Sequence, residues 1–110
     1  MAQPLFCYIK HMHMATRVVH CKREKYDIYI GRPSKWANPY SHKSSKYPDV
    51  ILVKTRQEAI DCYREYITNG AGRHLLKDLN ELKDKVLGCW CKPKACHGDV
   101  LAELVELYCN

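Results

Sequence analysis

The stretch KVLGCWCKPKACHGDVLAELVELY, residues 85–108, limits the fold more than any other part of the chain. It opens on a short apolar run and turns through a loop bearing proline and cysteine. It then places Leu101, Leu104, Val105 and Tyr108 at helical spacing. A strand that hands over to an amphipathic helix must bury the helix's apolar stripe against a sheet, and that is the building step of an α/β domain. Asp99 stands where a helix cap is expected, with a carboxylate that can accept from the first free backbone N–H groups.

The upstream segments fit the same plan. TRVVHC (16–21) is β-branched and DIYIG (27–31) alternates before ending on glycine, so both read as strands joined by a polar turn. VILV (50–53) is a further short strand. TRQE (55–58) is a capping box in which Thr55 accepts from Glu58 N–H and Glu58 reaches back to Thr55. The helix that follows places Ala59, Ile60, Tyr63, Tyr66 and Ile67 on one face and stops at NGAG, with Gly70 expected in the left-handed region. A second helix near 73–83 carries Leu75, Leu76, Leu79 and Leu82. The fold expected is a small single α/β domain over residues 15–110, with three to four mostly parallel strands covered by about three helices. Residues 1–14 read as an N-terminal extension, with Met14 as an alternative start and no secretory signal in MAQPLFCYIKHMHMA.

A chain of 110 residues buries one core and not two. No apolar run is long enough to span a bilayer, so no membrane partner is expected. The seven cysteines are an odd number at spacings unlike a secreted disulfide scaffold, which points to free thiols in a cytoplasm. The net charge of +6 is lopsided: residues 1–49 hold nine Lys and Arg against three acids, and residues 50–110 hold nine against nine. Such a field favours an anionic partner, either a small phosphorylated molecule or nucleic acid held by the basic first half.

Two loops concentrate the chemistry. In an open parallel sheet, ligands bind beyond the carboxyl ends of the strands. The loops at 31–39 (GRPSKWANP) and 89–99 (CWCKPKACHGD) would share one rim if their strands lie parallel and close. In the first, Gly31 allows close backbone approach, Arg32 and Lys35 hold an anion, Trp36 stacks on a ring, and Asn38 offers an amide. In the second, Trp90 is another ring platform. Cys96 at a helix start would have a lowered thiol pKa, next to His97 and Asp99.

Zinc is the competing reading for the same loop. The set would be Cys89, Cys91, Cys96 and His97, although consecutive ligands make an awkward bite for one tetrahedral ion. Two sulfurs on one strand face lie about 6–7 Å apart, so the strand would have to bend. A metal-free site is the first expectation and zinc the alternative.

Taken together, YDIYIGRPSKWANPY, TRQEAIDCYREY and GCWCKPKACHGDVLAEL resemble the family catalogued as "domain of unknown function 4326", found in phage and bacterial proteins. The resemblance covers about residues 16–107. Its signature positions fall on Tyr29, Gly31, Arg32, Lys35, Trp36, Asn38 and Pro39, then on Cys89, Trp90, Cys91, Pro93, Cys96, His97 and Asp99. Ala37 departs from a frequent glycine. The resemblance implies an α/β protein of phage or prokaryotic type acting in a cytoplasm, that of the host if phage-encoded, and it brings no reaction with it.

The expectation is therefore a protein that binds a nucleotide-like or phosphorylated ligand between the two loops. Whether it also processes that ligand, as a Cys/His-dependent enzyme of nucleotide or nucleobase metabolism, is left open. In that case Cys96 would be the nucleophile, His97 the proton carrier and Asp99 the orienting group. The alternative is a zinc-stabilised module for nucleic-acid binding or protein interaction.

Overall fold

In the computed structural model, which describes residues 15–109, five strands and three helices follow one another. They are β1 (Arg17–His20), β2 (Ile28–Tyr29), β3 (Tyr40–Ser41), β4 (Ile51–Leu52), α1 (Arg56–Thr68), a 3₁₀ helix (Arg73–Leu82), β5 (Val86–Cys89) and α2 (His97–Tyr108). The N-terminal extension expected over residues 1–14 lies outside the described residues.

The apolar run that opens the C-terminal unit becomes the central strand. The main sheet has the order β1-β5-β2, and both pairings are parallel. Val18 stands opposite Leu87, and Tyr29 opposite Gly88. A strand between two neighbours and under helices must be apolar on both faces, and Leu87, Gly88 and Cys89 are all buried. The expected small α/β fold with a parallel sheet is the fold observed. VILV does not join this sheet. Its residues Ile51 and Leu52 are exposed and form β4, which pairs in parallel with β3 as a separate two-stranded ribbon.

Local chemistry explains the helices. Thr55 caps α1 by accepting from Glu58 N–H at 3.0 Å, while the Glu58 carboxylate reaches one residue further than expected, to Lys54 N–H at 2.9 Å. Ala59, Ile60, Tyr63 and Ile67 form its buried face, and Tyr66 packs beside them. Gly70 does not adopt the left-handed region. Its amide closes the helix from ordinary backbone angles by donating to the Glu65 and Tyr66 carbonyls, after a C-cap at Asn69. The leucine-rich second helix is 3₁₀, with Leu75, Leu79 and Leu82 buried.

The final helix differs from expectation at both ends. Cys96, not Asp99, is the N-cap, and Asp99 occupies the third helical position. There its N–H donates to the Cys96 side chain while its carboxylate accepts from Cys96 N–H at 3.1 Å. Tyr108 is exposed, so the core stripe of α2 ends at Val105.

Tyr63 links this core to the first loop. Its ring is fully buried, and its hydroxyl donates to the Trp36 carbonyl at 2.8 Å. Tyr63→Phe is expected to lower unfolding free energy by about 1–3 kcal/mol, because it leaves a buried carbonyl without its donor. Urea denaturation reads this directly, and an unchanged midpoint would contradict it.

Candidate functional site

Because β2 and β5 are parallel neighbours, the loops that follow them leave from the same edge of the sheet. The structure ties them there. Trp90 Nε1 donates to the Tyr29 hydroxyl at 2.8 Å, and His20 at the end of β1 meets the Trp90 ring edge-on at 5.8 Å. Gly31 serves this tie rather than a ligand: a Cβ there would collide with the Tyr29 ring. Gly31→Ala is expected to displace that phenol and free the indole. The exposed Trp90 should then show red-shifted, more quenchable fluorescence while the buried Trp36 does not, and an unaltered spectrum would contradict the tie.

Asn38 pins the first loop to α1. Its Oδ1 accepts from Tyr40 N–H at 2.9 Å, its Nδ2 donates to the Ala59 carbonyl at 3.1 Å, and its own carbonyl accepts from Arg32. The amide expected to serve a ligand is thus used within the protein. Arg32–Pro33 and Lys92–Pro93, one in each loop, are cis.

Between the loops lies a cavity of about 500 Å³. Six Lys and Arg side chains line it (Arg23, Arg32, Lys43, Arg56, Lys92 and Lys94), with His20 and His42 beside them and no Asp or Glu. They come from the β1–β2 connection, the two loops, the segment after β3 and the first residue of α1. Among the described residues only Lys92 of these is ion-paired, to Asp99. A concave wall of one charge sign focuses its field into the cleft.

The sequence-predicted residues divide. Gly31, Arg32, Asn38, Trp90, Cys96 and His97 line the cavity, whereas Lys35, Trp36 and Asp99 do not. Trp36 is 2% exposed and belongs to the core, so it cannot stack on a ligand. Lys35 lies outside over that indole, at 5.3 Å from the ring, and pairs with Asp78 at 3.1 Å and Glu81 at 2.9 Å.

The proposed catalytic trio does not form a relay. His97 turns into the core, where its Nε2 donates to the Ile30 carbonyl at 2.9 Å and its ring meets Tyr63 edge-on at 4.9 Å. Burial is the main cause that lowers its pKa to about 4. Cys96 is buried in its capping role, and Asp99 is shared between Cys96 N–H and Lys92.

The thiols nonetheless come together. The chain bends after Cys89, and the Cys89 thiol hydrogen-bonds to both Cys91 and Cys96. These bonds, followed by burial, push the Cys89 pKa up. The Cys91 pKa falls to about 6, first through Cys89 and then, against the cost of burial, through Arg56 and His42. The Cys96 pKa is also lowered, with the Cys89 hydrogen bond as the leading cause. His97 does not join the sulfurs as the alternative zinc set requires. Among the described residues no group of three or more His, Cys, Asp or Glu is placed to hold a metal ion.

Sequence reasoning singled out neither Arg56, His42, Arg23 nor Lys43. Arg56 had one available signal: a first helical residue following a capping threonine lies at a helix mouth, and here its guanidinium reaches Cys91 and, at 3.5 Å, the Ala95 carbonyl.

Residues 15–107 match the family described as Domain of unknown function (DUF4326). The chain belongs to that family. Two relatives of this DUF4326 protein are viral. "Uncharacterized protein R718" of Acanthamoeba polyphaga mimivirus is 32% identical over 117 aligned positions, covering 84% of this chain and 82% of that protein. The "Uncharacterized 12.4 kDa protein in nrdA-td intergenic region" of Enterobacteria phage T4 is 33% identical over 92 positions, covering 82% and 77%. No solved structure matches significantly. No helix among the described residues is long and apolar enough to cross a membrane.

Proposed function

We propose that this DUF4326 protein binds a small phosphorylated ligand of nucleotide size in the cavity between its two loops. The observation that carries this reading is the lining: six cationic side chains and no carboxylate around about 500 Å³. That volume lies within the range of roughly 300–1,000 Å³ usual for ligand pockets. Arg32 and Arg56 supply forked donors suited to phosphate oxygens. Trp90, 55% exposed at the rim, offers an aromatic surface for a base or sugar.

The arrangement is concave rather than spread along a helix or strand face, which favours a small anion over a nucleic-acid backbone. Of the sequence-predicted ligand residues, Arg32 and Trp90 keep direct roles. Gly31 and Asn38 become supports of the loop, and Lys35 and Trp36 drop out.

A thermal-shift panel tests the proposal. Inorganic phosphate, pyrophosphate, nucleoside mono- and triphosphates and phosphosugars are compared with the parent nucleosides and sugars, at low and physiological salt. Phosphorylated members should raise the melting temperature, the unphosphorylated parents should not, and salt should weaken the effect. Equal shifts for both classes, or none for the phosphates, would overturn it.

A further inference from the structure

The helices cover one face of the main sheet. Val18, Leu87 and Ile28 stand in register across β1, β5 and β2, and Leu87 belongs to the core that all three helices build. A Cβ at Gly98 of α2 would meet Val18 and Ile30, which puts that helix on the same side. Strand alternation turns Val19, Gly88 and Tyr29 to the other face. There a phenol takes the place of a helix. A Cβ at Gly88 would stand 2.7 to 3.0 Å from Cγ and both Cδ atoms of Tyr26, so the ring lies flat over the glycine. Tyr26 is 42% exposed, which leaves the outer side of that ring open.

The rings continue toward the loop edge. Tyr26 and Tyr29 are 6.3 Å apart between centroids, the Tyr29 hydroxyl accepts from Trp90, and Lys22 Nζ lies 5.5 Å from the Trp90 ring centre. Val19 is 3% exposed, and the large apolar groups that stay exposed here, Tyr26 and Trp90, are both aromatic. Residues 17–29 carry Arg17, Lys22, Arg23 and Lys25 against Glu24 and Asp27. Both acids are engaged locally: Glu24 pairs with Arg17 at 3.7 Å, and Asp27 accepts from Val86 N–H at 2.8 Å.

We propose that this sheet face binds single-stranded nucleic acid, with bases stacked on Tyr26 and Trp90 and the backbone met by Lys22, Arg23 and Lys25. Every unpaired base has a π-face and every linkage carries a negative charge, so open rings beside cations suit both parts of such a chain. A duplex keeps its base faces within its own stack, and an aliphatic protein surface would leave the cations without partners. The site does not depend on the cavity reading. It shares Trp90 and Arg23 with the cavity rim, but Tyr26 lies outside the cavity lining.

The experiment measures fluorescence anisotropy of labelled oligothymidylate and oligouridylate, each of about twelve nucleotides, on the reduced full-length protein beside a duplex of equal length. The single strands should bind, the duplex at least about tenfold more weakly, and affinity should fall with added salt. A preference between the two single strands assigns the source as DNA or RNA. Tyr26→Leu covers Gly88 without a stacking ring and should weaken binding about tenfold, whereas Tyr26→Phe should retain it. If the leucine variant does not fold, quenching of the exposed Trp90 by the single strands and not by the duplex decides. Mononucleotide binding without oligomer binding would sink this site and leave the cavity standing, and oligomer binding without a mononucleotide response would do the reverse. Equal affinity for the duplex, full affinity in Tyr26→Leu, or a dimer in sedimentation that this variant abolishes would each overturn the proposal.

Discussion

Arg32→Ala is expected to weaken binding of a phosphorylated ligand by about 10- to 100-fold while leaving the protein folded. A hydrogen bond to a charged group contributes about 1.5–3 kcal/mol, and each 1.4 kcal/mol is a factor of about ten in affinity. Arg32 combines that contact with a local one, since its guanidinium also holds the Asn38 carbonyl and so shapes the loop. Arg32→Lys keeps the charge without the fork and should recover only part of the loss. The control is Lys35→Ala. The family resemblance puts Lys35 among the signature positions, yet the structure pairs it with Asp78 and Glu81 away from the cavity. Its removal should leave ligand affinity unchanged. Titration calorimetry on the best compound from the thermal panel separates the two, and equal losses in both variants would remove Arg32 from the site.

The second large effect is on pH-dependent stability. His97 is neutral in the folded state, with its pKa lowered from 6.5 to about 4 by burial. The unfolded chain therefore binds a proton that the native state refuses over this window, and stability falls as pH drops from about 6.5 to about 4. Two and a half pH units at about 1.36 kcal/mol each amount to roughly 3 kcal/mol. The upper part of the window, above pH 4.5, isolates histidine from carboxylates such as Glu103, whose lowered pKa acts below it. Urea unfolding of the wild type between pH 7 and 4.5 should show the decline. His97→Gln should be less stable at pH 7 and nearly flat across the same range. A flat wild-type profile would mean that the imidazole is not buried neutral.

Much of this layout was legible before any coordinates. Parallel strands ending on a common edge follow from two β-then-loop units. The helix over 56–68 follows from its capping box and from the spacing of Ala59, Ile60, Tyr63 and Ile67. The meeting of the two loops needed one fact that a single sequence does not state, the adjacency of β2 and β5.

Other features depend on contacts across long separations. Lys35 looked like an anion ligand until its partners 43 and 46 positions later were in place. Trp36 has the same composition as a stacking platform whether it points out or in, and the Tyr63 hydroxyl beneath its carbonyl accompanies the inward choice. Cys96 and His97 are neighbours in sequence but diverge at a helix start, one capping the helix and the other bonding to Ile30. The bend after Cys89 replaced the strand alternation that would have kept the Cys89 and Cys91 sulfurs apart. Arg56 and His42 reach the cavity from elements that no local motif connects to it.

The most direct test of the anion-binding cavity is a backbone amide NMR titration of the reduced protein with pyrophosphate and then with a nucleoside monophosphate. Shifts should concentrate at Gly31, Arg32 and Asn38, in the 40–43 segment, at Arg56 and over residues 89–97, and they should saturate. Shifts that never saturate, or that gather around Lys35 and the 3₁₀ helix instead, would contradict a ligand site between the two loops.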